Sequence, residues 1–174
     1  MTLVKLFNLF WAMMPALVSS PLDAPCIHWG LLTGSPVIVE DPKTLHPGAY
    51  FAAGAWGVKV CRGGIKLPPK ALLAALLHEF GHLDQLAKFD FLPNTPAKKV
   101  EGEAYADEFM FANLSQFGLT CEAVKAFLVA HRDKETKGEA LARKLMVNAF
   151  GKWADPHGSD AERIDACKAA LGPD

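Results

Sequence analysis

Apolar residues recur at helical spacing through the middle of the chain. In PKALLAALLHEFGHLDQLAKF, Leu72, Leu73, Leu76, Phe80 and Leu83 fall along one side of a helix, and Pro69 suits its first position. His78 and His82 lie at the edge of that side. The prolines of FLPNTPAKK break the pattern, and a second helix is expected from about Val100 to Phe117, stopped at Gly118. Thr120 is an N-cap for a third helix to about His131. The charged HRDKETKGE reads as an exposed turn, followed by a helix over about Ala140 to Phe150. A last helix opens on Ser159-Asp160-Ala161-Glu162, a capping box, and stops at Gly172-Pro173.

Upstream the pattern shortens. GSPVIVEDP, Gly34 to Pro42, reads as a short buried strand between breakers, and Ala49 to Gly64 as two short strands around Gly54 to Gly57. The strand Gly57 to Val60 is the expected edge for pairing with an extended peptide. Before these comes an apolar run from Leu6 to Val18, and Thr2, Lys5 and Asn8 recur at every third position among apolar residues, the pattern of an amphipathic packing helix. One lysine before an apolar run also resembles a signal peptide. Asn8 interrupts that run, however, and Pro21 and Pro25 follow the best small-residue cleavage positions, Ser20 and Ala24. The packing helix is the preferred reading and goes with a cytoplasmic location; export is its rival. The run is too short for a membrane span, so membrane association is not expected apart from this N-terminal segment. The order of elements implies an α+β fold: a mainly helical single domain, with a small sheet beside the histidine-bearing helix. Residues 1–33 form the hydrophobic N-terminal segment and residues 34–174 the main domain.

A chain of 174 residues, 51% of them hydrophobic, can bury one real core. Its net charge of -1 offers no electrostatic attraction to nucleic acid or to an acidic membrane. Cys26, Cys61, Cys121 and Cys167 contain no CxxC pair, which argues against a cysteine zinc site. Their even number permits disulfides; buried reduced thiols are the simpler expectation.

The chemistry concentrates in HEFGH. On a helix, residues i and i+4 share a face, so His78 and His82 can present two imidazole nitrogens to one tetrahedral zinc. Glu79 is rotated by about 100° from His78, poorly placed as a further ligand but able to take a proton from a water on the metal. Gly81 is expected to keep the cleft side of this turn small. The motif alone is not decisive, because glutamate and histidine are ordinary on an exposed helix surface. A catalytic zinc needs a third protein ligand and an open position. EGEAYADEFMFANL supplies Glu103 on a separate helix, with Asp107 one turn further on the same face, where it can accept a hydrogen bond from the far nitrogen of a ligand histidine. Glu101 competes as ligand but lies near the helix start, where it can serve the helix dipole instead.

HEFGH followed by EAYAD resembles the gluzincin metallopeptidases, most closely the HtpX-like and CAAX prenyl endopeptidase type, whose pattern is HExxH and then ExxAD on the next ligand helix. DPHGSDAERIDA resembles that family's late segment, with His157 followed by Arg163-Ile164. The likeness spans roughly residues 36 to 170 in the right order. It implies one zinc ion held by His78, His82 and Glu103, with Glu79 as catalytic glutamate. His157 is implied as a second catalytic group, either resting on the metal or donating to an oxyanion; a loop histidine without a role is the plain alternative. Arg163 is expected to anchor the last helix through a carboxylate rather than touch substrate. The implied activity is zinc-dependent peptide-bond hydrolysis of a peptide or protein substrate, through a zinc-bound water and a glutamate general base. The rivals are a catalytically silent, zinc-stabilised binding or regulatory domain and a metal-free helical interaction protein. A purely structural zinc has no use for Glu79 and usually takes four protein ligands, a number that His157 would complete.

Overall fold

Two interior strands with apolar residues build the first part of the chain. The computed structural model describes residues 3–30, 36–40, 51–54, 57–62, 67–89, 95–132, 141, 145 and 158–172. Helix α1 spans Leu3–Ser19, and strands β1 to β4 span Pro25–Gly30, Val37–Glu40, Phe51–Gly54 and Gly57–Cys61. The strands form one antiparallel sheet in the order β2-β1-β4-β3. Ile27 pairs with Val60 and Trp29 with Val58. Ile27, Val58 and Val60 are fully buried, as expected for central strands. The expected hairpin is present, with Gly54 opposite Gly57.

Several expectations are corrected here. Strand β1 was not foreseen: PCIHWG is short and its partners lie elsewhere in the chain. Strand β2 is a half-exposed edge strand rather than a buried one, with Val37 48% exposed. Strand β4 lies between β1 and β3, so both its edges are already paired and it cannot add an extended peptide. The cysteines are joined as Cys26–Cys61 and Cys121–Cys167 rather than reduced. Cys26 and Cys61 face each other across β1 and β4, while Cys121 and Cys167 come together through the packing of distant helices. Helix α1 is helical as read, yet among its described side chains only Leu17 is buried; Val4, Leu9, Trp11 and Val18 stand in solvent. Arg62 Nη2 donates to the Ser20 carbonyl (2.6 Å), tying the end of α1 to the end of β4. No helix among the described residues is long and apolar enough to cross a membrane.

The chain divides into two compact units, Met1–Leu67 and Pro68–Asp174. The boundary is therefore not at residue 33, because β1 belongs to the same sheet as β2, β3 and β4. The second unit is helical. Helix α2 spans Pro69–Phe89, α3 Pro96–Leu114, α4 Cys121–Arg132 and α5 Asp160–Leu171. The fold class is α+β, mainly helical with a small antiparallel sheet.

Local signals explain the helix ends. Thr95 is extended and its Oγ1 accepts from the Lys98 N–H, so α3 begins at Pro96, earlier than the expected Val100. A 3-10 turn, Ser115–Phe117, ends at Gly118 with φ 62°, a left-handed position suited to glycine. Thr120 Oγ1 accepts from the Glu122 N–H at the start of α4. The capping box of Ser159 and Glu162 opens α5 as read. Of the helix expected over Ala140 to Phe150, all but Leu141 and Leu145 lies outside the described residues.

Helix α2 is the core of this unit. It packs against α3 and α4 and buries Leu72, Leu76, Leu77, Phe80 and Leu83. Met110, Phe111 and Leu114 from α3 and Val124 and Leu128 from α4 complete the apolar interior. Burying such side chains stabilises by about 1.5–3 kcal/mol each.

Candidate metal centre

The site stands beside a close approach of α2 and α3. At Gly81, an added Cβ would lie 2.7 Å from Ala106 Cα and 3.0 Å from Phe109 Cβ. Gly81 therefore does not face a cleft, as its place in the motif implied. It faces α3 and allows the two backbones to approach, which brings Glu103 to His78, one turn before it, and to His82, the next residue.

His78 and His82 stand one turn apart with ring centroids 4.9 Å apart. Glu103 Oε2 lies 3.1 Å from His78 Nε2 and 3.4 Å from His82 Nε2. Ligand atoms of the three residues all fall within 4.8 Å of one another, a group that can hold a metal ion. His78 is buried; His82 and Glu103 are partly exposed. The group is thus anchored on one side and open on the other. Glu101 is exposed and lies outside the group; Glu79, next to His78, is half-buried.

The far nitrogen of His78 is held as well. His78 Nδ1 lies 2.8 Å from Asp107 Oδ1. Asp107 also accepts from Arg163, whose Nε is 2.8 Å from Oδ2 and whose Nη2 is 2.6 Å from Oδ1. Asp107 and Arg163 are 8% and 7% exposed, so this is a buried, two-pronged ion pair. Asp107 therefore sits at the far nitrogen of His78, and Arg163 anchors α5 through a carboxylate. With Nδ1–H donating to Asp107, Nε2 is the nitrogen that faces Glu103, protonated and donating to it without a cation, and free to ligate once that proton is lost.

Electrostatics follow from this packing. Burial opposes a charge on His78, but hydrogen bonds to Asp107 and Glu103 and the negative charges of Glu79 and Asp107 outweigh it and raise its pKa to about 9. Burial likewise pushes the Asp107 carboxyl up, and His78 and Arg163 overcome this and hold it below its ordinary value. Without a cation the site is therefore closed by a proton on His78, which a metal must displace.

No family model, curated protein or solved structure matches the chain. The donor set itself supplies the test of fit: two imidazole nitrogens and one carboxylate oxygen converge, and one imidazole is fixed by a further carboxylate. That set suits a borderline divalent cation.

Two features were not foreseen. Tyr105 donates to Asp84 Oδ2 (2.7 Å), which also receives Lys88 Nζ (2.8 Å), a second tie between α2 and α3 beyond the site. Phe89 packs edge-on to Tyr105. Asp84 and Lys88 are an i,i+4 pair legible on a helix, but Tyr105 as their partner required the crossing of α2 and α3. His157 lies outside the described residues.

Proposed function

We propose that the protein is a zinc-dependent metallopeptidase of gluzincin type, in which His78, His82 and Glu103 hold the ion and Glu79 is the general base. The observation that carries this reading is the convergence of His78 Nε2, His82 Nε2 and Glu103 Oε2 from two helices, with Asp107 on the far side of His78. Three protein donors with an open side are the donor set of a catalytic zinc rather than a structural one. The likeness of HEFGH, EAYAD and the late His157 segment to the HtpX-like and CAAX prenyl endopeptidase type points the same way, and adds His157 as a second catalytic group.

When bound, zinc supplies Lewis acidity, polarising the scissile carbonyl and lowering the pKa of water. Glu79 takes a proton from the attacking water as its oxygen bonds to the carbonyl carbon. It then delivers that proton to the amine nitrogen as the C–N bond breaks. Asp107, backed by Arg163, fixes the His78 ring, which would keep Nε2 available to the ion. The substrate is a peptide or protein. Two disulfides in a chain of this size favour an oxidising compartment, and so export over the cytoplasmic reading.

The test is zinc per chain in purified protein, followed by turnover of an unstructured protein substrate. We expect about one zinc in the wild type, marked loss in Glu103→Ala, and retained zinc with proteolysis lost in Glu79→Gln. A wild type that takes up no zinc on supplementation would sink the metal reading. Bound zinc with no turnover, unchanged by Glu79→Gln, would make the protein a zinc-stabilised binding domain instead.

A further inference from the structure

Helix α5 is attached to its unit in a way that α2 and α3 are not. Its two buried residues are Arg163 and Cys167; no large aliphatic side chain of this helix is buried. Ile164 is half-buried and Leu171 is 36% exposed. A helix ordinarily docks by an apolar stripe, and α5 lacks one. A buried ion pair is a poor substitute, because desolvating both charges offsets much of their attraction. The contact of Arg163 with the Phe127 ring, 5.9 Å from its centroid, adds little more.

Beside these contacts stands a covalent tie. Cys167 lies one turn beyond Arg163 on the same face of α5 and is bonded to Cys121, the first residue of α4, across 46 residues of sequence. Helix α4 is itself seated on α2 by buried Val124 and Leu128. A continuous path therefore runs from the disulfide through one turn of α5 to Arg163, to Asp107, and to Nδ1 of His78.

We propose that the Cys121–Cys167 disulfide is a positioning element of the metal centre. It keeps Arg163 on Asp107, so that His78 holds its Nε2 toward the ion. The inference rests on the metal-centre reading above and concerns what sets that centre's affinity. With the disulfide gone, α5 has too little apolar contact to stay docked, and Arg163 leaves with it. Asp107 then keeps a single partner and is free to rotate away from His78. Losing such an outer partner typically lowers metal affinity by about 10–100-fold.

The experiment is a Co2+ titration of the full chain, read by visible ligand-field absorption and accompanied by far-UV circular dichroism. Four proteins are compared: wild type, Cys121→Ser/Cys167→Ser, Arg163→Ala, and the three substitutions combined. We expect Co2+ binding weakened by about tenfold or more, with an altered spectrum, in the disulfide variant and in Arg163→Ala. The combined variant should be no weaker than either parent, because both act through one path. An unchanged affinity and spectrum in the disulfide variant would overturn the proposal, and so would losses that add in the combined variant. If the disulfide variant fails to fold, Arg163→Ala decides alone: it keeps the covalent link, and native affinity there would break the path. A wild type that binds no Co2+ overturns the metal-centre reading itself, an outcome distinct from a wild type that binds while the variants match it.

Discussion

The site is held from two sides by opposite means. Helix α3 is seated on α2 through apolar and small residues, Gly81 against Ala106 with Met110 and Leu114 buried beyond, and it carries Glu103 and Asp107 to the histidines. Helix α5 reaches His78 through charge and a disulfide, with Arg163 on Asp107 and Cys167 on Cys121. An apolar contact is sensitive to volume and indifferent to protons; a buried charged contact is the reverse. The contrast assigns the two sides different duties. The apolar seam between α2 and α3 sets where the ligands are, and the charged chain from Arg163 through Asp107 sets how one of them is oriented.

The largest expected effect comes from breaking the charged side at its centre. Asp107→Ala leaves the Arg163 guanidinium buried without its carboxylate and His78 without its acceptor. Chemical denaturation should show a loss of about 3–5 kcal/mol, the usual result of removing one partner of a buried pair. A loss below about 1 kcal/mol would mean that the pair is not buried in solution as it is here.

On the apolar side, Gly81→Ala places a methyl where Ala106 Cα stands 2.7 Å away. The helices must separate, at a cost of about 1–3 kcal/mol. Metal affinity should fall with stability, because Glu103 retreats from both histidines. A stabilising result, as expected for Gly→Ala on a free helix surface, would show that α2 and α3 do not cross here.

Protons sharpen the contrast next. The folded pKa of His78 is raised from 6.5 to about 9, so its contribution to the metal-free protein is complete below about pH 6.5 and is lost as pH rises through 9. Asp107 is lowered, so its contribution is present above its ordinary carboxylate value and is lost as acid protonates it in the fold. The metal-free Tm should therefore decline from pH 6.5 to 9, and Gly81→Ala, by drawing Glu103 off His78, should make that decline shallower. Between pH 7 and 8, cation binding should release about one proton, measurable by calorimetry in buffers of different ionisation enthalpy. Uptake of metal without proton release would contradict the charged state of His78.

The smallest effect belongs to the exposed tie beyond the site. Lys88 is more than half exposed in its pair with Asp84. Lys88→Ala should leave both the denaturation midpoint and the metal affinity essentially unchanged.

Much of this was legible in the chain, and the reasons are local. Helix α2 announced itself by leucine spacing and Pro69, and α5 by its capping box. His78, His82, Glu103 and Asp107 could be named because each helix places i and i+4 residues on one face. Gly81 was misread, because a glycine's partner across an interface leaves no trace in its own helix. Strand β1 and the interior place of β4 were missed for the same reason: pairing is a relation between segments, while periodicity describes one segment at a time. The state of the cysteines was misjudged because their number and spacing permit either outcome.

By itself, the sequence determined that α2, α4 and α5 are helices, the capping box at Ser159 and the residue types able to hold a metal, since these follow from backbone geometry within a few residues. The tertiary structure alone decided that Gly81 meets Ala106, that Glu103 falls between the histidines, and that Cys167 and Arg163 join α5 to Cys121 and Asp107. Each of these depends on two distant segments fitting together in volume and charge, a condition that no single stretch of chain contains.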